Sequence, residues 1–312
     1  MEKYRSNTGI CFLHIPFFVP KKQRRAEKTS FDYERRTTMK FDLCTKLHES
    51  TPLVHCITNY VTVNDCANIL LASGGSPIMA DEPAEAAEMT AICSGLVINI
   101  GTLNSRTIPA MLEAGKAAHA LGHPILLDPV GAGATKLRTE TAVRILEEVH
   151  PDVIRGNISE MKALAGGSAT TRGVDAAEAD KVTEENLAEV TAWAKALAAK
   201  TGAIIAITGA IDIVADGEKA YIIRNGHPIM ASITGSGCML SAYMGAAICA
   251  KKDNKTEGAA QCLCAMGVAG ERAYAKLQKL EGGNSTYRDL LIDEIYKMTD
   301  DVLAQEARYE VR

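Results

Sequence analysis

The sequence predicts an α/β protein: a mostly parallel sheet, covered by helices on both faces, with an antiparallel hairpin at one edge. Three observations point there. Short apolar runs alternate with amphipathic helical patterns between Gly95 and Ile207. The rhythm then changes at residues 211–223, where two short runs flank Asp216-Gly217, a dipeptide favoured in hairpin turns. The remainder of the chain, from about Cys238, is helical in pattern.

Taken in order, Gly95–Ile100 (GLVINI) reads as a buried strand and Arg106–Leu121 as a helix stopped by Gly122, a C-cap signal. Pro124–Leu127 is the next strand, and Thr139–Val149 a helix opened by its threonine as N-cap. Asp152–Ile154 is a short strand, and the helix from Ile158 to Ala165 stops at Gly166-Gly167. Ser168–Asp180 is polar and reads as a surface loop. Thr183–Lys200 opens with a capping-box pattern, Thr183 followed by Glu184 and Glu185. Ala203–Ile207 is a buried strand. Ile211–Ala215 and Lys219–Ile223 form the hairpin, and helices follow at Cys238–Ala250, Glu257–Lys279 and Tyr287–Gln305.

Of 312 residues, 47% are hydrophobic and 23% charged, ordinary for a globular protein with a large core. Residues 1–38 hold nine Lys/Arg against four Asp/Glu and read as a disordered N-terminal extension. Residues 39–312, which read as a single domain without internal repeats, hold 25 basic and 34 acidic side chains. An acidic body disfavours nucleic-acid binding, which depends on cationic neutralisation of phosphates. No apolar run approaches the ~20 residues of a membrane span. In Ile10–Val19 the basic cluster Lys21, Lys22, Arg24, Arg25 follows the apolar stretch, the reverse of a secretory signal. None of the nine cysteines forms a CxxC pair, so zinc spacing is absent. Those at 66, 93, 249 and 262 lie in apolar, helix-like runs and read as buried free thiols of a reduced, cytoplasmic protein.

In open α/β sheets, ligands sit outside the carboxyl ends of the strands. Four strand ends here carry glycine beside a polar group: Gly101-Thr102, Asp128-Pro129-Val130-Gly131-Ala132-Gly133, Arg155-Gly156-Asn157 with Glu160 one turn on, and Thr208-Gly209. Asp128 reads either as a turn residue or as a carboxylate for Mg²⁺. Asn157 and Glu160 read either as a helix cap and its N3 partner or as groups near metal and phosphates. Arg155, directly after apolar strand residues, needs an anionic partner, and polyphosphate suits it.

Ile233-Thr234-Gly235-Ser236-Gly237-Cys238-Met239-Leu240 is a glycine turn that feeds into a helix. The first-turn amides of a helix have no intrahelical acceptor, and the helix dipole adds positive potential. Such a turn can hold a phosphoryl group, and a thiol there is favoured as thiolate. The alternative for Cys238 is a small buried residue packing a helix start.

The turn resembles the anion hole of ribokinase-like small-molecule kinases, most of which carry Asp where this chain has Cys238. With Ile57-Thr58-Asn59-Tyr60-Val61-Thr62, Pro77-Ile78-Met79-Ala80, Asp128–Gly133 and Arg155–Glu160, the chain resembles the hydroxyethylthiazole kinase family from about Met39 to its C-terminus. The resemblance implies a ribokinase-like three-layer α/β/α fold. It implies phosphorylation of 4-methyl-5-(2-hydroxyethyl)thiazole by ATP and Mg²⁺ in thiamine salvage. By motif, Cys238 is the catalytic base, and Met79 and Gly235 contact the substrate. Gly235, Ser236 and Gly237 form the anion hole. Arg155 and Thr208 bind ATP, and Asp128 and Glu160 serve the metal. It also implies a homotrimer with active sites between subunits, to which the 57–80 region of a neighbour contributes. A pyrimidine-alcohol kinase is disfavoured by the cysteine and the TNYVT segment. A nucleotide sensor is disfavoured because Asp128, Glu160 and the glycine turn are all present. An NAD-dependent oxidoreductase is disfavoured because no GxGxxG follows the first strands.

Overall fold

The computed structural model describes residues 39–166 and 181–312, all within one compact unit. The extension expected over 1–38 and the loop expected over Ser168–Asp180 lie outside the described residues. The chain runs α1 (Leu43–Ser50), β1 (Leu53–Ile57), α2 (Val63–Ala72), β2 (Ser76–Ile78), α3 (Pro83–Ala91), β3 (Gly95–Asn99), α4 (Thr107–Leu121), β4 (Ile125–Asp128), α5 (Lys136–Val149), β5 (Val153–Gly156) and α6 (Ile158–Gly166). It continues with α7 (Leu187–Thr201), β6 (Ile204–Ile207), β7 (Asp212–Ala215), β8 (Ala220–Ile223), α8 (Ser236–Ala250), α9 (Lys255–Leu280), α10 (Asn284–Tyr296), α11 (Asp300–Glu306) and β9 (Tyr309–Val311).

The strands form one sheet in the order β2-β1-β3-β4-β5-β6-β7-β8-β9. Pairing is parallel from β2 to β6 and antiparallel from β6 to β9. Because side chains alternate across a strand, each strand feeds two cores. Val54, Val97, Leu126, Val153 and Ala206 face α1, α2 and α8–α11. Leu96, Ile98, Ile125, Leu127, Ile154 and Ile205 face the layer of α4–α7. This is the three-layer arrangement expected from the sequence.

Helix α8 sits close on the sheet. A Cβ at Gly245 would run into Val97 Cγ2 on β3, so only glycine permits this approach. Gly122 ends α4 in the left-handed conformation (φ 66°), as its position predicts.

Several element ends differ from expectation. The cap of α5 is Thr135, whose hydroxyl accepts from Arg138 N. Thr139 lies inside that helix, buried, where its hydroxyl accepts from Gly133 N instead. The capping box at Thr183 does not form. Asn186 Oδ1 takes the Thr183 amide, Glu184 pairs with Arg224, and α7 starts only at Leu187. The expected 287–305 helix is two helices, because Thr299 caps α11 through Val302 N. The hairpin closes through four residues rather than three: Asp216 Oδ1 accepts from both Glu218 N and Lys219 N, an Asx turn. Strand β9 pairs with β8 and extends the antiparallel edge to three strands beyond β6.

Candidate active site

Strand alternation gathers the polar groups. Asn99 lies two residues beyond Val97, Asp128 beyond Leu126, Arg155 beyond Val153 and Thr208 beyond Ala206. All four therefore project toward α8 from the carboxyl ends of adjacent parallel strands, with Asn99 paired to Asp128 in register. Arg155 proves to be a residue of β5 itself rather than the residue after it, which sets its side chain under the start of α8.

Gly235 takes φ +87° as the residue before α8, and no side chain caps this helix end. A Cβ at Gly235 would lie 2.5 Å from Thr62 Cγ2, and one at Gly237 would lie 2.7 Å from an Arg155 guanidinium nitrogen. Both glycines are thus required by close approach. The amides of Ser236, Gly237 and Cys238 occupy the first helical turn, where donors lack intrahelical partners. Three of the chemistries expected from sequence (anion-holding amides, guanidinium, thiol) meet here.

Asp128 is fully buried. Its Oδ2 accepts from Asn99 Nδ2 (2.8 Å) and Ser241 Oγ (2.8 Å) and faces an Arg155 guanidinium nitrogen at 3.5 Å. Its Oδ1 makes no hydrogen bond among the described residues, and neither does Arg155 Nε. Burial pushes the Asp128 carboxyl up to about 6, against the opposing pull of Arg155. Arg155 also donates to Thr208 Oγ1 (2.7 Å), so Thr208 and Asp128 together fix the guanidinium.

Glu160 caps α6. Its Oε2 accepts from Asn157 N (2.9 Å), while Asn157 Oδ1 accepts from Glu160 N (2.8 Å). This is the capping box that the sequence left as one of two readings. Glu160 Oε1 reaches across to Gly131 N (2.8 Å) and ties α6 to the loop after β4.

Cys238 is half-exposed, whereas Cys66 and Cys262 are buried. Burial pushes the Cys66 thiol up to about 12, so it stays neutral. Cys249, expected buried, is partly exposed. Around Cys238 Sγ stand Asn59 Nδ2 (3.1 Å) and Asn99 Nδ2 (3.3 Å).

A cavity of about 640 Å³ opens beside the glycine turn. Arg155, Thr208, Asp212, Ser236 and Gly237 are among its polar lining, and Met230, Leu240, Leu263 and Met266 among its apolar lining. Its size and mixed lining suit a nucleotide. Met79 and Cys238 do not line it. Met79 follows β2, half-buried, and packs against the same core layer as Cys238. Its neighbour Ala80 is held through its carbonyl by His55 Nε2 (2.7 Å), whose ring is kept neutral by burial.

Four supporting residues escaped the sequence reading. Asn99 left a signal, a lone amide in an apolar buried strand. Ser241 lies one turn after Cys238 on the buried face of α8. Asp212 lies at the start of β7, its Oδ1 accepting from Gly209 N (2.8 Å). Arg138 donates to three main-chain carbonyls, of Ile100, Gly101 and Val130, and so ties the ends of β3 and β4 together. Nothing in the sequence near Arg138 marks that role.

A family model described as the hydroxyethylthiazole kinase family matches residues 44–301. A hydroxyethylthiazole kinase of Clostridium acetobutylicum is 58% identical over 261 residues, 84% of this chain and 95% of the relative. One of Desulfovibrio desulfuricans is 49% identical, covering 86% and 96%. The solved hydroxyethylthiazole kinase structure from Pyrococcus horikoshii OT3 superposes with a TM-score of 0.77 at 34% identity, over 87% of this chain and 98% of that one. A ribokinase-like superfamily protein from Enterococcus faecalis shares the fold at a TM-score of 0.53 and 10% identity.

Proposed function

The chain belongs to the hydroxyethylthiazole kinase family, and from that premise we propose that it transfers the γ-phosphoryl group of ATP to the hydroxyl of 4-methyl-5-(2-hydroxyethyl)thiazole, a step toward thiamine. The observation that carries this reading is the placement of Cys238. Its thiol stands one residue past a glycine-made anion hole and is joined through Asn99 to the buried Asp128.

The alcohol oxygen attacks the γ-phosphorus. An O–P bond forms, the bond to the β,γ-bridging oxygen breaks, and ADP leaves with the electron pair. The alcohol proton passes to Cys238 Sγ, late, as the forming ester makes the hydroxyl acidic. Such a base contributes about 10²–10⁴-fold. The amides of residues 236–238 and the Arg155 guanidinium hold the transferring group where negative charge develops. Thr208 keeps Arg155 aimed.

Mg²⁺ fits the residues present. Asp128 Oδ1 is a buried carboxylate oxygen without a donor among the described residues, a suitable ligand or water acceptor for a hard cation. Glu160 has both oxygens engaged by main-chain amides and would act on the ion's water shell. When bound with the nucleotide, the ion supplies charge neutralisation on the phosphates.

The reading includes a homotrimer with shared sites. Tyr60 (76% exposed) and Val61 (58%) present apolar surface directly after Asn59, which supports coverage by a second copy; sedimentation equilibrium tests it. Residues 1–38 are read as lying outside the catalytic domain, so their deletion should leave turnover unchanged. Among the described residues no helix is long and apolar enough to cross a membrane, and a cytoplasmic location is part of the reading. The central test is a coupled assay of ADP release with and without hydroxyethylthiazole, with the ester identified by ³¹P NMR. ATP hydrolysis that ignores the alcohol would refute the activity.

A further inference from the structure

We propose that Asn59 and Asn99 are positioning residues for Cys238: their side-chain amides fix its sulfur where it meets the alcohol proton. The inference rests on the reading of Cys238 as the base and extends it to residues that supply no proton themselves.

The orientation of both amides is dictated by main-chain donors. Asn59 Oδ1 accepts from Thr62 N (3.2 Å) and Thr62 Oγ1 (3.0 Å). A peptide N–H can only donate, so oxygen must face Thr62 and the NH₂ group must face the sulfur. Asn99 Oδ1 accepts from Gly101 N (2.9 Å) and Asn59 Nδ2 (3.1 Å), which turns its NH₂ toward Asp128 and Cys238.

The hydrogens then match the acceptors one for one. Asn59 Nδ2 gives one N–H to Asn99 Oδ1 and the other to Cys238 Sγ. Asn99 Nδ2 gives one to Asp128 Oδ2 and the other to the same sulfur. Both side chains are buried, at 4% and 1% exposure. An unmatched amide N–H there would cost about 1–3 kcal/mol. The arrangement is complete only if sulfur accepts twice. Gly101 makes room for the pair, since a Cβ there would lie 2.9 Å from Asn59 Nδ2 and from Asn99 Oδ1.

Among the described residues, Cys66 on α2 is near enough to interact with this sulfur, while Asp128 on β4 and Arg155 on β5 pair with each other. Cys66 stays neutral. The two amides are therefore the donors that act on Cys238 directly.

Asn59→Asp is the test. It keeps shape and the Thr62 acceptor but turns a carboxylate oxygen toward the sulfur. Turnover and the rate of Cys238 alkylation by iodoacetamide, read by mass spectrometry, are followed. Expected are a kcat loss of about tenfold or more, KM values for ATP and thiazole within about threefold, and alkylation of Cys238 slowed by a comparable factor. Asn59→Ser, which removes the donor without adding charge, should shift both in the same direction by less, and covers the case in which the Asp variant fails to fold. In a Cys238→Ala background Asn59→Asp should change kcat by less than about twofold, since the group it acts through is gone. An unchanged alkylation rate, or an equal kcat loss in both backgrounds, overturns the amide inference alone. Cys238→Ala turning over at the wild-type rate overturns the base assignment, and this inference with it.

Discussion

Arg155 lies directly beneath Gly237: a side chain of even one carbon at residue 237 would meet the guanidinium at 2.7 Å. The glycine is there to let a cation from β5 come up against the first turn of α8, where the free amides are. Neither residue achieves this alone. Arg155 is only 12% exposed and is fixed by Thr208 and Asp128, so it cannot simply swing away.

Gly237→Ala should therefore fold but displace Arg155. A misplacement of about 1 Å at a reacting group can cost about 10²-fold in rate, and kcat/KM for ATP should fall by that order, with the melting temperature lowered as the contacts of Arg155 to Asp128 and Thr208 are strained. Gly235→Ala should act by a different route. It forces a left-handed conformation on an L-residue, at about 1–2 kcal/mol, and crowds Thr62, so its thermal stability should drop together with turnover.

Cys238→Ala should lower kcat by about 10²–10⁴-fold while thiazole affinity, measured by calorimetry, stays near wild type. Cys238→Asp restores a carboxylate base at the same place and should retain activity. Equal turnover in the Ala variant would remove the thiol from the mechanism.

Asp212 supplies a pH dependence. Burial pushes its carboxyl from 3.8 up to about 7, against the Gly209 amide and Arg155, which act the other way. A raised folded-state pKa favours the neutral acid, so the stability it contributes is fully present below about pH 4 and lost as pH rises through about 7. Asp212→Asn keeps an oxygen for Gly209 N. It should match wild type near pH 4 and be more stable at pH 8 by about 1–2 kcal/mol, a reduced figure because the carboxylate opens onto the cavity and its water. Thermal unfolding at the two pH values checks this.

Gly245→Ala tests how α8 is seated. The new methyl would push against Val97 on β3, at a cost of about 1–3 kcal/mol. Asn99 is two residues along the same strand and Cys238 two turns back on the same helix. The shift should therefore also lower kcat, although residue 245 touches no substrate.

Much of this protein was legible in the chain. Continuous apolar runs such as GLVINI and PILL specify buried strands, because both faces of a parallel sheet must be covered. Glycine beside a polar group at four strand ends marked the edge where the site lies. Gly235-Ser236-Gly237 before an apolar helix marked a helix start with free amides, because unpartnered amides there follow from local backbone geometry alone. Local capping choices were less legible. Thr135 and Thr139 are four residues apart, both threonines, and only the path of the loop after β4 decides which one caps α5.

What tertiary structure alone decided is which groups meet. Asn59 and Cys238 are separated by 179 positions and bonded at 3.1 Å; Asp128 and Ser241 by 113 positions, at 2.8 Å. No local pattern encodes such pairs. Sequence sets which face of a strand or helix a side chain occupies, whereas the order of strands in the sheet and the seating of α8 at Gly245 set which faces are brought together. Hydrogen bonds act only over about 3 Å, so the network around the sulfur exists only once those longer-range packing choices have been made.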